Sequence, residues 1–200
     1  MERYLYRNIK NFNTNEILNY YNHIYEEKKI RLSKYLNKSR FKSSVIGEIL
    51  LEKLLKEENI NYKNQIFYLN KNDKPYLAGS NIYYNISHSY DYVITIISDN
   101  EIGIDIEKIR KTNVNTINKF ATEKEKEYIL SNNEDIYLRL FKIYTLKEAY
   151  IKMLGENISK IKEVEFEIHN NEIICSDKNI IAFTRIIDNN YIFSVCKKKS

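Results

Sequence analysis

The run Ile102-Gly103-Ile104-Asp105-Ile106-Glu107 alternates isoleucines with small or acidic residues. Strand side chains alternate faces, so a strand here carries Asp105 and Glu107 together on the face opposite its isoleucines. Two such carboxylates either share a cation or form a solvated acidic surface. Farther on, Tyr144-Thr145-Leu146-Lys147-Glu148-Ala149-Tyr150-Ile151-Lys152 reads as a helix from which Glu148 and Lys152, four apart, project on one side. They make either an exposed ion pair or a third carboxylate with a positive charge beside it. A hard cation such as Mg²⁺ takes oxygen ligands and commonly bridges carboxylates to substrate phosphates, so three acids and a lysine suit phosphoryl chemistry. Asn85-Ile86-Ser87-His88-Ser89 ends a strand pattern with two hydroxyls around a histidine, which is a cradle for phosphate oxygens or a plain turn. No Ser-His-Asp triad is apparent. Upstream, Lys28, Lys29, Arg31, Lys34, Lys38, Arg40 and Lys42 concentrate positive charge. Most of these read as solvated surface, with one or two available to clamp a phosphate.

The elements that must position these residues follow from periodicity. A strand spans 2–9, helices 13–36 and 39–58, and strands 65–69, 81–86, 92–98 and 101–107, with Lys71 to Pro75 as a turn. Helices return at 114–120, 123–130 and 134–154, and four strands finish the chain between 163 and 197. The order repeats, which prompts a search for duplication. A shift of 100 aligns Phe41-Lys42 with Phe141-Lys142, Glu48 with Glu148 and Leu54 with Leu154, and a shift of 99 aligns Tyr92 to Ile96 with Tyr191 to Val195. Two similar halves, 1–100 and 101–200, are therefore expected, meeting in a ligand cleft. The fold class is α+β, a pseudo-dimer in which each half has an antiparallel sheet and flanking helices.

Composition narrows the function classes. With 200 residues, 43% of them hydrophobic and 30% charged, the chain is too apolar for a disordered protein. Its apolar runs are far shorter than a membrane span needs, and Met1 to Lys10 lacks the apolar region of a signal peptide, so a cytoplasmic protein away from membranes is expected. Cys175 and Cys196 read as small core residues, and His23, His88 and His169 are too scattered for structural zinc. A net charge of +5 with interleaved signs argues against a nucleic-acid-binding face but favours anionic ligands or acidic partners.

Taken together, Asn85 to Ser89, Ile102 to Glu107 and Leu146 to Lys152, with forty-odd residues between the two acidic motifs, resemble the signature of the 4'-phosphopantetheinyl transferases. The resemblance is to the Sfp-type group, single-chain enzymes that look like two fused copies of the smaller trimeric holo-acyl-carrier-protein synthase. It implies a Mg²⁺-dependent enzyme that moves 4'-phosphopantetheine from coenzyme A to a serine of an apo acyl or peptidyl carrier protein and releases 3',5'-ADP. By the same resemblance Asp105, Glu107 and Glu148 hold the metal, while Lys152, His88 and Ser87 meet the phosphates. Lys28 and Arg31 pair with the 3'-phosphate near Ser44, and Lys74 lines the nucleotide site. Glu148, Lys152 and His88 are the catalytic group. The N-terminal half recognises the nucleotide, and the C-terminal half holds the metal and meets the carrier protein. A duplicated chain needs no second subunit, so a monomer is expected. Tyr144 stands where many relatives have Trp, and Arg31 where lysine is common. A coenzyme A- or nucleotide-binding module without turnover is one alternative, and a basic nucleic-acid-binding protein with incidental acids is another.

Overall fold

The structure is a computed structural model that describes residues 1–24, 26–33, 38–131, 135–170 and 172–200. Lys34 and the side chain of Arg31, both part of the basic cluster, lie outside the described residues. The chain runs β1 (Glu2–Asn8), α1 (Thr14–His23), α2 (Glu26–Ser33), α3 (Lys38–Glu57), β2 (Phe67–Leu69), β3 (Pro75–Leu77), β4 (Tyr83–Ser89) and β5 (Tyr92–Ser98). It then repeats the plan with β6 (Ile102–Lys108), α4 (Glu123–Leu130), α5 (Ile136–Leu154), β7 (Phe166–His169), β8 (Glu172–Cys175), β9 (Ile180–Ile187) and β10 (Tyr191–Lys198).

Each half builds a three-stranded antiparallel sheet, β1-β5-β4 and β6-β10-β9, and adds a two-stranded hairpin. The registers are those of a duplication. Leu5 pairs with Thr95 in the first sheet and Asp105 with Ser194 in the second, which are the same positions shifted by 100 and 99. The two α+β halves are thus arranged as a pseudo-dimer. One face of each central strand packs on its own long helix. Thr95 Oγ1 donates to Gly47 O of α3 at 3.1 Å, and Ser194 and Thr145 of α5 share a hydrogen bond of 2.6 Å. The other faces meet in a common core built from Ile94, Ile96, Ile102, Ile104, Ile106 and Phe193. Period-two alternation within one strand therefore serves two cores at once.

Three local expectations change. The single helix over 13–36 is two helices, because Ile24 turns extended (ψ 164°) to bury its side chain beside Ile17 and Leu32. The segment Val114–Lys119 is 3-10 rather than α, a short run that delivers Ile117 and Phe120 to the core. Pro75, read as part of a turn, begins β3, while Asp73 takes the positive φ of 62° that the hairpin turn requires.

Gly103 sets how close α5 lies to β6. A Cβ placed there would stand 2.1 Å from the Ala149 carbonyl oxygen and 2.3 Å from the Met153 nitrogen, both backbone atoms that cannot swing aside. Gly103→Ala is expected to push α5 off the sheet and cost about 3 kcal/mol. In thermal unfolding followed by circular dichroism that is a fall in Tm of roughly 6–12 °C.

Candidate functional site

The acidic strand lies where the two halves touch. Ile102, Ile104 and Ile106 point into the shared core, leaving Asp105 and Glu107 on the face that α5 covers. Strand β4 runs beside β6 in parallel, although the two belong to different sheets. What joins them is side chain to backbone. Asn85 Oδ1 accepts from Ile104 N (3.0 Å), Ser87 Oγ from Ile106 N (3.3 Å) and Ser89 Oγ from Lys108 N (3.3 Å). The same two hydroxyls then donate to the acids, Ser87 to Asp105 Oδ1 and Ser89 to Glu107 Oε2, each at 2.8 Å. Ser87-His88-Ser89 is therefore strand, not turn, and the hydroxyl spacing matches the carboxylate spacing.

Helix α5 supplies the rest. Its inner face is anchored by Lys147, wholly buried with Glu125 at 2.8 Å and also donating to the carbonyls of Ile161 and Val164. That anchor turns Tyr144, Glu148 and Lys152, spaced by four, toward β6. Lys152 Nζ reaches Asp105 Oδ1 at 2.5 Å and Ser87 Oγ at 3.0 Å. Tyr144 packs edge-on against Phe120 (5.1 Å between ring centres), so an aromatic other than Trp keeps the packing. Arg110 Nη1 meets Glu107 Oε2 at 3.3 Å.

The electrostatics are those of crowded acids. Burial, and then the Asp105 charge, push both Glu107 and Glu148 above the usual carboxylate range, against the pull of Ser89 and Arg110 on the first and of Lys152 and Tyr144 on the second. His88 sits at the rim, open to solvent on one side and crowded on the other. Desolvation, then Lys152 and Arg40, push its pKa below the ordinary histidine value, while Asp105 pulls it up. Among the described residues no three acidic, histidine or cysteine side chains converge closely enough to enclose a metal ion. The donor set nevertheless fits a hard cation. Asp105 Oδ2 is buried without a hydrogen-bond partner, and burial with the Asp105 charge raises the pKa of the two neighbouring carboxyls.

The two family models that match the chain are described as "4'-phosphopantetheinyl transferase superfamily", over residues 101–196, and "4'-phosphopantetheinyl transferase, N-terminal", over residues 11–101. The chain belongs to the 4'-phosphopantetheinyl transferase superfamily. Similar proteins include the 4'-phosphopantetheinyl transferase gsp of Aneurinibacillus migulanus, 33% identical over 66% of this chain and 56% of that protein. They also include psf-1 of Bacillus pumilus, 30% identical over 58% of this chain and 51% of that protein, and Sfp of Bacillus subtilis strain 168, 26% identical over 66% and 61%. The chain thus spans between half and two thirds of the length of these curated relatives.

Within this phosphopantetheinyl transferase fold, Asp105, Glu107, Glu148, Lys152, Ser87 and His88 gather at the seam between the halves. Ser44 and His88 line a second cleft of about 180 Å³ between α3 and β4, with Glu48, Pro75 and Ile86. Lys28 and Lys74 are placed differently. Lys28, 6% exposed, is turned inward onto Glu48, donates to Tyr62 Oη at 3.0 Å and stands 3.4 Å from the Phe67 ring centre. Lys74, 5% exposed, donates to the Met153 carbonyl at the end of α5, and burial pulls its pKa down to about 8. A lysine cannot leave a buried acceptor for a phosphate without orphaning that acceptor. Sequence reasoning gave Asn85 no role of its own, took Ser89 only as one hydroxyl of a phosphate cradle, and did not single out Arg110. The signal for the first two was that Asn85, Ser87 and Ser89 share one face of a strand, which does not say what that face meets.

Two outcomes follow from this geometry. Lys28→Ala leaves Glu48 buried without its cation and is expected to destabilise the fold by about 3 kcal/mol, read as a lowered urea midpoint rather than as a change confined to ligand affinity. Glu148→Gln removes a carboxylate whose folded pKa is raised, so in metal-free buffer at pH 7 it is expected to raise Tm by about 2 °C. A raised acid takes up its proton in the folded state first, so the wild-type deficit lies above the folded pKa and shrinks as pH falls toward the ordinary carboxylate range. A Tm gain that persists unchanged at pH 4 would contradict this.

Proposed function

We propose that this protein transfers 4'-phosphopantetheine from coenzyme A to a serine of an apo acyl or peptidyl carrier protein, releases 3',5'-ADP, and depends on Mg²⁺. The observation that carries the reading is Asp105. One of its oxygens is held by Ser87 and Lys152, the other is buried and unpartnered, and two carboxylates with raised pKa stand beside it. Simple ligand binding needs no such acidic set.

In this reading Asp105, Glu107 and Glu148 would hold Mg²⁺, which when bound would stabilise charge on the pyrophosphate of coenzyme A. The serine oxygen forms a bond to the β-phosphorus while the bond from that phosphorus to the bridging oxygen of 3',5'-ADP breaks. Glu148, its pKa raised, accepts the serine proton directly or through water, the kind of tuning that general bases need. Lys152 and His88 meet the phosphates, and Ser87, whose hydroxyl is given to Asp105 in this structure, would reach them by turning that hydroxyl away from the carboxylate. The nucleotide occupies the N-terminal half beside Ser44, with Arg31 of α2 pairing the 3'-phosphate. Lys28 contributes by holding Glu48 and so shaping the cleft wall, and Lys74 by holding α5.

The carrier protein docks on the C-terminal half. A cavity of about 500 Å³ opens beside Glu107 and Tyr144, with an apolar floor including Phe120 and Phe141 and a rim carrying Arg110 and Lys119. Acidic partners gain association rate from such a rim. A single chain supplies both sides of the seam, so a monomer is sufficient. No helix among the described residues is long and apolar enough to cross a membrane.

The test is intact mass spectrometry of a panel of apo acyl and peptidyl carrier proteins incubated with the protein, coenzyme A and Mg²⁺. A gain of one phosphopantetheine is expected, absent without Mg²⁺ and absent with Asp105→Ala at unchanged helix content. Coenzyme A binding without modification of any carrier would favour a binding module. Near-normal turnover by Asp105→Ala would remove its role as a metal ligand.

A further inference from the structure

One contact between the halves lies outside the carboxylate seam. The turn joining β2 to β3 presses on the last turn of α5. We propose that Lys74, with Asn70 and Asn72, forms a clamp that positions the carboxylate-bearing helix, rather than a ligand set for the nucleotide. The catalytic consequence of the clamp rests on the transferase reading above; its structural consequence does not.

The last carbonyls of a helix have no partner within it and carry the negative end of its dipole, so donors and cations are favoured there. Three donors arrive from the hairpin. Lys74 Nζ donates to Met153 O, Asn70 Nδ2 to Gly155 O at 3.0 Å, and Asn72 Nδ2 to the same oxygen at 2.8 Å. The turn is built to deliver them. Asn70 Oδ1 accepts from the backbone of both Asn72 and Lys74 at 2.9 Å, and Asp73 takes a positive φ. Gly155 closes the helix in the left-handed region (φ 64°), and a Cβ there would stand 2.7 Å from Asn70 Nδ2 and 2.8 Å from Lys74 Cδ, so only glycine admits the turn this closely. The same residue that Lys74 grips, Met153, is the one whose backbone lies on Gly103. The end of α5 is therefore fixed from below by β6 and from its tip by the other half. Lys152 precedes Met153 in sequence and Glu148 lies one turn earlier, so the clamp sets where both stand over Asp105.

A nucleotide ligand and a clamp make different predictions for Lys74→Met. For the clamp, deuterium exchange of the amides of residues 150–156 in the full-length protein is expected to rise about tenfold or more, as loss of a charge-assisted hydrogen bond requires. The same variant should lose about tenfold in kcat at unchanged KM for coenzyme A. The ratio of affinities for coenzyme A and dephospho-coenzyme A, measured by calorimetry, should stay at the wild-type value, and Lys74→Arg, which can still donate to Met153 O, should restore protection. Unchanged exchange in Lys74→Met, or a collapse of the affinity ratio toward one, overturns the proposal. Should Lys74→Met fail to fold, Asn72→Ala removes a single donor and is judged by the same exchange measurement. If the wild-type protein modifies no carrier, the transferase reading fails, and the exchange comparison still decides the clamp.

Discussion

Two strands from different sheets lie side by side at the centre of this protein, and β4 holds β6 with side chains where a backbone ladder would ordinarily stand. The backbone N–H groups of Ile104, Ile106 and Lys108 are satisfied by Asn85, Ser87 and Ser89. Buried N–H groups must find acceptors, so these three short polar residues are a condition for the halves to join at all. Their hydroxyls have a second hydrogen-bonding capacity, which two of them spend on Asp105 and Glu107. Assembly of the pseudo-dimer and orientation of its acids are consequently one event. A loss of either serine would loosen a seam and misaim a carboxylate together.

The duplication is complete in sheet topology and incomplete in chemistry. Where β6 carries Asp105 and Glu107, the matching positions of β1 are Leu5 and Arg7, and where α5 has Lys152, α3 has Glu52. Glu48, the counterpart of Glu148, is taken up by Lys28 and Tyr62. The seam is equally one-sided. The residues of β9 that correspond to Asn85 and Ser87 are Phe183 and Arg185; Phe183 meets the Phe193 ring edge-on, and the Arg185 guanidinium lies over the Tyr4 ring. One junction of the pseudo-dimer is polar and holds acids, while the other is aromatic and merely packs.

Both long helices are secured by a buried lysine–glutamate pair, Lys28–Glu48 on α3 and Lys147–Glu125 on α5. Such pairs return little net stability over apolar packing, but leaving one partner alone is costly, so they constrain register strongly. On α5 that constraint, together with the contact at Gly103, is what holds three acids beside one another. Burial, and then the Asp105 charge, raise the pKa of both Glu107 and Glu148, the direction expected where acids are crowded together.

Much of this was legible in the chain. Alternation over Ile102 to Glu107 established which residues face the shared core, helical spacing established that Glu148 and Lys152 share a side, and the near-equal shifts of 99 and 100 established the duplication. These are properties of short segments, governed by backbone geometry that does not depend on neighbours. Lys28 and Lys74 were a different matter. A lysine at the start of a helix or in a turn reads as exposed, and only the packed molecule decides that one is turned onto Glu48 and the other onto the end of α5. Nor does any local period announce that β4 and β6, from different sheets, will lie together. Which polar groups meet across the seam depends on how two three-stranded sheets dock, and docking is decided by shape and by the demand that buried donors find acceptors, neither of which is written in any one stretch of sequence.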